Sequence, residues 1–409
     1  RDGSVMVAGA GAAHIHRSGE SEEGEGGASL PELEHQTHER IRYIGGVRFE
    51  ATDPEARPVG PEWEAFGRGY WVLPRAEIST SSSSSSSGHG GSSASDNLLE
   101  GSETASSCPT TPVGVSGAAG GGAGRLVARA VLAVHLRWCE ASGGDDQHAW
   151  ASERLRALQD LRRLQPCSAS RTSRPGVAAC RSETVPQEKF EANVREALEV
   201  LKTGKMEKVV LARRHLLQLA WKQDVVSILR QVVGTAFKRH YLFLLEPVQG
   251  AAFVSLSPER LCKVQGRDLW TEAVAGTWAI TEFEKIGEAA LLASSAKNNS
   301  EHQHVVDYIT RLLENVSNHI KVCDTHILKL KHLVHIKQSY HAIASNDKGP
   351  GLSPSGLSTF FCERMSPTPA VCGLPLDKSR SFIRAVEPWD RGLYAAPCGI
   401  VGARSSEII

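Results

Sequence analysis

The residue in this sequence best suited to proton transfer is a lysine at the start of an apolar run. Lys208 opens residues 208–213, a pattern that predicts a buried strand. A low-dielectric environment disfavours the ammonium form, so a buried lysine loses its proton more easily than one in water. Lys208 is therefore a candidate general base near neutral pH. The alternative is a strand lysine whose stem packs while its charged head reaches solvent.

A second candidate for proton transfer is Glu259, in the segment Ser257-Pro258-Glu259. A glutamate beside a buried pocket has a raised pKa and can donate a proton. The same segment also has the composition of an ordinary helix start, with Ser as N-cap and Pro at the first helical position. The sequence leaves both interpretations open.

Glu301 lies in a predicted amphipathic helix over residues 301–316. At 100° per residue, His302 falls near the middle of the apolar face and Glu301 at its edge. A carboxylate so close to a buried face needs a cation or a metal as partner. A single carboxylate suits Mg²⁺, which keeps waters or substrate oxygens. The alternative is a first-turn glutamate that interacts with the helix dipole.

Residues 273–277 end a predicted strand in a turn of small residues. Gly276 permits close backbone approach, so the N–H groups beside it could hold a carboxylate. A plain turn explains the same residues equally well. His335 lies in an apolar stretch, where a core histidine with satisfied nitrogens is the default expectation.

The elements around these motifs alternate without a regular βαβ rhythm, which predicts an α+β fold. Helices are expected at 190–201, 282–294, 301–316 and 352–363, strands at 209–217, 241–245 and 252–256, and a hairpin at 263–271. A Ser- and Gly-rich stretch at about 79–124 is predicted to be a disordered insertion, because it cannot bury enough apolar surface to offset its ordering entropy.

The composition excludes several classes of protein. The 409 residues carry 46 basic and 46 acidic side chains, so no general nucleic-acid or membrane-surface partner is expected. No apolar run approaches the roughly 18 residues needed to span a bilayer. The nine cysteines are scattered and never spaced Cys-x-x-Cys, which argues against a zinc site or a disulfide framework. The chain starts at Arg1, and no targeting segment is readable from it.

In their order and spacing these motifs resemble the chorismate-utilising enzymes, and among them the isochorismate synthases. The similar blocks are residues 43–49, 62–67, 71–78, 208–213, 257–260, 272–277, 297–307, 367–373 and 387–399. The resemblance implies a fold like that of anthranilate synthase component I, with two large antiparallel sheets and outer helices. Residues 1–185 would form its N-terminal part and residues 186–409 its catalytic part.

The resemblance also implies a reaction and roles for the residues. Water would add at ring carbon 2 of chorismate while the hydroxyl at carbon 4 leaves. Lys208 matches the general base, Glu259 the general acid and Glu301 a Mg²⁺ ligand. Ala275, Gly276 and Thr277 match the turn that binds the ring carboxylate, and His335 and Ala370 match pocket positions beside the ring.

Lys208 and Ala275 also bear on the nucleophile. Ammonia-using relatives carry Gln at the Lys208 position, and aminodeoxychorismate relatives carry a nucleophilic Lys at the Ala275 position. The resemblance therefore favours water, with salicylate synthase as the enzymatic alternative and a non-catalytic chorismate-binding fragment as the other. By the same analogy we expect a monomer, no nucleic-acid or membrane partner, and a plastid location.

The sequence departs from the family pattern at several positions. Asn298 stands where the family has an acidic residue, Trp278 where it has Arg, and Ser366 where it has His. The chain ends at Ile409, before the family's substrate-binding Arg, a second Mg²⁺-binding Glu and a Lys. The expectation from these departures is an incomplete copy, truncated at its C-terminus and inactive alone.

Overall fold

The computed structural model describes residues 5–17, 30, 42–53, 55–83, 127–134, 179–219, 224–225, 227–229, 240–345, 347–348 and 354–409. Residues 84–124, which hold most of the predicted Ser- and Gly-rich insertion, lie outside this set. Residues 79–83, at the start of that stretch, belong to a strand, so the prediction of disorder is wrong for them.

The secondary structure alternates between strands and helices along the chain. The strands are β1 (Val5–Arg17), β2 (Arg42–Val47), β3 (Gly69–Ser83), β4 (Val127–Val134), β5 (Ala179–Thr184), β6 (Lys208–Val209), β7 (His215–Leu219), β8 (Tyr241–Val248), β9 (Ala251–Ser257), β10 (Cys262–Gln265), β11 (Asp268–Ala279), β12 (Ser317–Val322), β13 (His326–Lys329), β14 (Leu333–Ala344), β15 (Gly373–Leu374), β16 (Cys398–Gly402) and β17 (Ser405–Ile408). The helices are α1 (Gln187–Lys202), α2 (Ile280–Ser294), α3 (Ala296–Glu314), α4 (Pro354–Met365) and α5 (Leu376–Val386). Within the described residues, no helix is both long and apolar enough to cross a membrane.

The predicted elements of the C-terminal half are largely confirmed. Helices α1 to α4 match the four predicted helices, and β10 with β11 forms the predicted hairpin. The strand predicted at 209–217 is instead two short strands, β6 and β7, and residues 210–214 between them belong to no strand. Helix α5 was not predicted.

The chain divides into two compact units, one of Arg1–Ile15 with Val72–Ser170 and one of His16–Trp71 with Arg171–Ile409. In the first unit, β3 pairs antiparallel with β4. The sequence-based boundary near residue 185 stays a prediction. All the candidate catalytic and binding residues lie in the second unit.

The second unit contains one large antiparallel sheet. Its strand order is β2-β16-β17-β10-β11-β14-β12, and β13 also pairs with β14. Three two-stranded pairs accompany it in the described part of the chain, namely β6 with β15, β5 with β7, and β8 with β9. The α+β class is thus confirmed, while the second large sheet is not seen in these residues. Hydrophobic patterns predict strands but not their partners, because pairing is decided by distant segments.

Helix α3 packs on strand β11, and the spacing of its apolar residues explains how. His302, Val305, Ile309 and Leu313 recur at intervals of three and four residues and are buried. Each fully buried aliphatic side chain contributes about 1.5–3 kcal/mol. Ser295 caps the helix, and its side chain accepts a hydrogen bond from the Asn298 amide at 3.2 Å. The predicted buried face of this helix is therefore confirmed, with Glu301 beside it.

Candidate active site

The Lys208 ammonium is held inside the protein. Its Nζ donates hydrogen bonds to the Pro369 carbonyl at 2.7 Å and to Glu301 Oε1 at 3.3 Å, and the side chain is only 13% exposed. Burial lowers its pKa, a shift that the charges of Glu301 and Glu259 partly oppose. The alternative in which this lysine extends into solvent is wrong.

The backbone around Lys208 is fixed by a buried ion pair that the sequence analysis did not single out. Arg391 and Glu387, both almost fully buried, form a bidentate pair with Nη2 to Oε1 at 2.6 Å and Nε to Oε2 at 2.8 Å. Arg391 also donates to the carbonyls of Val210 at 2.9 Å and Val371 at 3.1 Å, and Glu387 accepts from the Ala212 amide at 2.7 Å. The pair joins the segment after β6 to the loop that contacts Lys208.

Removing one member of this pair should destabilise the protein strongly. We expect Arg391→Met to lower the free energy of unfolding by roughly 3–5 kcal/mol, because Glu387 is left buried without its cation. The measurement is urea denaturation at neutral pH. The control is Arg195→Met, which removes an exposed partner of Glu191 (3.8 Å) and should cost less than about 1 kcal/mol. Similar losses in the two variants would contradict the structural role of Arg391.

Glu259 lies in the loop between β9 and β10, so the helix-start interpretation of Ser257-Pro258-Glu259 is wrong. The Ser257 hydroxyl instead closes a local turn, accepting from the Glu259 amide at 3.2 Å and donating to the Glu259 carbonyl at 3.1 Å. The carboxyl atom Oε1 is buried and has no hydrogen-bond partner among the described residues. Burial, reinforced by the charge of Glu272, raises the pKa of Glu259 to about 8. Burial at this position therefore favours the protonated form of the carboxyl near neutral pH.

The small-residue turn is a bulge in the pairing of β11 with β14. The register shifts between Ala275, opposite Ile336, and Thr277, opposite His335. Gly276 has φ +79°, and a Cβ there would lie 2.8 Å from the Asn298 carbonyl oxygen, so only glycine fits. Thr277 Oγ1 lies 3.0 Å from His335 Nδ1. The predicted residues of the turn and His335 are thus brought together.

Asn298, one of the departures from the family pattern, has a structural role in this turn. It is buried, and its Nδ2 donates to the Thr277 carbonyl at 3.1 Å. A carboxylate at this position could not donate that bond. Trp278, another departure, packs in a core cluster with Leu291 and Val334. His335 has a pKa lowered mainly by burial, so its ring is neutral near pH 7.

Ala370 lies in the loop that contacts Lys208. The Thr368 carbonyl accepts hydrogen bonds from the amides of Val371 and Cys372, each at 3.1 Å, and closes a tight turn around Ala370. The carbonyl of Pro369, the residue before it, accepts from Lys208. Ala370 is therefore next to the candidate base in space, as well as being a predicted pocket position.

Glu301 is the candidate metal ligand, and its side chain is 26% exposed. The described residues contain no group of three or more His, Cys, Asp or Glu side chains that could hold a metal ion. Mg²⁺ needs only one or two protein carboxylates when waters and substrate oxygens complete its shell. Glu301 could serve as such a single carboxylate ligand. Its Oε1 pairs with Lys208 Nζ at 3.3 Å.

Lys208 and Glu301 both line a groove of about 480 Å³. Its other walls combine the apolar face of α1 with polar residues of α3: Phe190, Val194, Ala197, Leu198, Leu201, Glu207, Val209, Val210, Leu211, Lys297, Ser300 and His304. The volume is in the range of small-molecule sites, which span about 300–1,000 Å³. The arrangement offers a base, a carboxylate and an apolar wall to one small ligand.

Comparison with known proteins gives concordant matches. A family model described as "Chorismate binding enzyme" matches residues 129–409. The chain is 34% identical over 276 residues to the salicylate biosynthesis isochorismate synthase of Pseudomonas aeruginosa, covering 66% of this chain and 54% of the relative. It is 28% identical to the chloroplastic isochorismate synthase of Catharanthus roseus, over 98% of this chain and 60% of the relative. The chain thus spans little more than half the length of these relatives.

Two solved structures share the fold. The menaquinone-specific isochorismate synthase MenF of Escherichia coli aligns with a TM-score of 0.63 and 21% identity, over 91% of this chain and 69% of that one. Anthranilate synthase component I of Streptococcus pneumoniae aligns with a TM-score of 0.65 and 14% identity, over 99% and 82%. The expected fold, like that of anthranilate synthase component I, is confirmed.

Proposed function

The chain belongs to the chorismate-binding enzyme family, and from this premise we propose that it converts chorismate to isochorismate. The observation that carries the proposal is that two buried side chains, Lys208 and Glu259, lie close enough for the charge of each to act on the pKa of the other. Lys208 has a lowered pKa and Glu259 a raised one. Adding one water molecule while another leaves requires a base and an acid, and both work best when their pKa values lie near neutral pH.

In the proposed reaction, Lys208 Nζ accepts a proton from a water molecule as the water oxygen bonds to ring carbon 2. Glu259 gives its proton to the hydroxyl at carbon 4, and the bond from carbon 4 to that oxygen breaks, releasing water. Both ring double bonds shift in the process, from C1=C2 and C5=C6 in chorismate to C1=C6 and C4=C5 in isochorismate. One water molecule is added and one is released, so product and substrate are isomers. Lys208 then loses its extra proton to solvent and Glu259 regains one, which restores both side chains.

The remaining site residues would orient the ring. The backbone N–H groups beside Gly276, with the neighbouring Thr277–His335 pair, would receive the ring carboxylate. The apolar face of α1 along the groove would exclude water from the enolpyruvyl side of the substrate. Glu301 would hold Mg²⁺, which supplies positive charge against the carboxylate. With Glu301 engaged by that ion, Lys208 would lose its anionic partner and its pKa would fall further.

Salicylate synthase is the second candidate, because the P. aeruginosa relative is named for salicylate biosynthesis. Such an enzyme would also eliminate pyruvate from isochorismate. We further propose a plastid location, in line with the relatives from Catharanthus roseus and Arabidopsis thaliana that are named chloroplastic, and a monomeric state.

The test is incubation of the purified 409-residue chain with chorismate and Mg²⁺, followed by chromatographic analysis of products and calorimetric measurement of chorismate binding. Isochorismate that retains its enolpyruvyl group is the expected product. Salicylate with an equal amount of pyruvate would support the second candidate. Chorismate binding without conversion would support a non-catalytic binding protein, and neither binding nor conversion would overturn all three.

A further inference from the structure

Two cations, Lys208 and Lys337, act on the Glu259 carboxyl, and these two and the neighbouring Arg260 are already engaged with other groups. From β6, Lys208 is bonded to Glu301 and Pro369. On its own loop, Arg260 pairs with Glu407 of β17, Nη2 to Oε1 at 2.9 Å. From β14, Lys337 pairs with Glu272 of β11, Nζ to Oε1 at 2.8 Å. Arg260 Nη1 also lies 3.9 Å from Glu272 Oε1, so Glu272 interacts with both Lys337 and Arg260. Each of the three cations thus has a carboxylate partner other than Glu259.

The geometry of the sheet explains why Lys337 forms its ion pair with Glu272. Glu272 and Val274 are two residues apart on β11, so their side chains point to the same face. Lys337 is directly opposite Val274 on β14, which places it diagonally across from Glu272 on that face. Glu272 and Lys337 are both poorly exposed, at 8% and 16% of their side-chain surface. Glu272 Oε2 also accepts from the Arg260 amide at 3.3 Å, which anchors it next to Glu259.

We propose that Glu272 is a positioning residue that engages Lys337 and the Arg260 side chain and so keeps either cation from forming an ion pair with the Glu259 carboxyl. The charge count near Glu259 supports this, because the cations of Lys208, Arg260 and Lys337 are matched by Glu301, Glu407 and Glu272. An ionised Glu259 would be an extra, unpaired negative charge in a buried site, which is strongly unfavourable. A backbone hydrogen bond from Val274 lowers the pKa of Glu259, but burial outweighs it, and the buried Oε1 has no hydrogen-bond partner among the described residues.

This inference rests on the proposed role of Glu259 as the acid, and it predicts opposite effects for two substitutions. Glu272→Gln removes a nearby anion and releases Lys337, so the pH at which Glu259 loses its proton should fall by at least about one unit. Lys337→Met removes a nearby cation, so that pH should rise. In the double variant Glu272→Gln/Lys337→Met the two changes should largely cancel, because the pair acts as a unit.

The experiment is a pH titration of the protonated carboxyl band of Glu259 by difference infrared spectroscopy, with Glu259→Gln to identify the band. It is done on the full chain without chorismate, so it reports on the tuning even if no isochorismate is formed. Opposite shifts in the single variants and a near-native midpoint in the double variant are expected. Unchanged midpoints, or shifts in the same direction, would overturn the proposal, since a purely structural role predicts no such pattern.

If the protein turns over chorismate, the alkaline limb of kcat/KM should move with the infrared midpoint in each variant, because that limb reports loss of the acid's proton. Loss of activity without movement of the limb would show that Glu272 acts only on folding. Circular dichroism spectra of the variants establish whether each is folded before it is titrated.

Discussion

Lys208→Gln should lower the rate of isochorismate formation by about 10²–10⁴-fold, the usual contribution of a positioned general base. A glutamine can still donate to the Pro369 carbonyl, so the loop that contacts residue 208 should stay in place. It cannot accept a proton from water, so the loss should fall on kcat. The measurement is initial rates of isochorismate formation at saturating chorismate, with chorismate binding followed separately by calorimetry.

The matched control is Lys205→Gln, which removes the same charge from an exposed position three residues earlier. Its rate should stay within a factor of two or so of the unmodified protein, because an exposed side chain away from the groove makes no contact with substrate. Activity of the Lys208 variant close to that of this control would show that Lys208 is not the base.

Much of the local structure around the site follows from the sequence, because helical and strand periodicity are local properties. The spacing of Val305, Ile309 and Leu313 identifies the buried face of α3 and so places Glu301 at its edge. Gly266 and its neighbours mark the hairpin turn between β10 and β11 in the same way. A residue's own neighbours were enough to predict these features.

Ser257-Pro258-Glu259 shows where this local logic stops. A serine that accepts from an amide two residues later caps a helix in one protein and closes a loop turn in another. The deciding feature is strand β10, which follows the turn and is held in the sheet by β17 from the far end of the chain. No pattern within a few residues of Ser257 contains that information.

The same limit applies to the ion pairs that tune the site. Glu272 and Lys337 meet because β11 and β14 pair in one register, and a shift by one residue would send them to opposite faces. The Glu387–Arg391 pair could have been suggested, since its two opposite charges are only four residues apart in the sequence. Its contacts with Val210 and Val371 could not, because they join distant segments.

The two groups proposed to transfer protons illustrate a trade between stability and function. The charged forms of Lys208 and Glu259 are both more stable in water than in the protein interior. Burial therefore lowers the pKa of Lys208 and raises that of Glu259. The fold holds them with contacts made elsewhere, such as the bidentate Glu387–Arg391 pair. Substitution of a strained functional group by a neutral residue of similar shape should therefore remove activity and add stability.

Glu259→Gln tests that trade directly, because it should strongly lower activity and also raise stability. Without an ionisable acid the hydroxyl at carbon 4 cannot be protonated, so we expect a fall of about 10²–10⁴-fold in the rate of isochorismate formation. The free energy of unfolding should instead be higher for Glu259→Gln than for the unmodified protein at alkaline pH. The pKa of Glu259 is about 8 in the folded protein against 4.5 for an unperturbed glutamate. The folded state therefore binds this proton more tightly than the unfolded state.

A raised folded-state pKa gives stability that is fully present below pH about 4.5 and is lost as the pH rises to about 8. Each pKa unit corresponds to about 1.4 kcal/mol, so the loss amounts to several kcal/mol. Glu259→Gln has no such proton to lose, and its free energy of unfolding should depend less steeply on pH between 5 and 8 than that of the unmodified protein. Urea denaturation at several pH values in this range measures both slopes. Parallel slopes would mean that Glu259 is ionised in the folded protein at neutral pH, and the assignment of Glu259 as the acid would then fail.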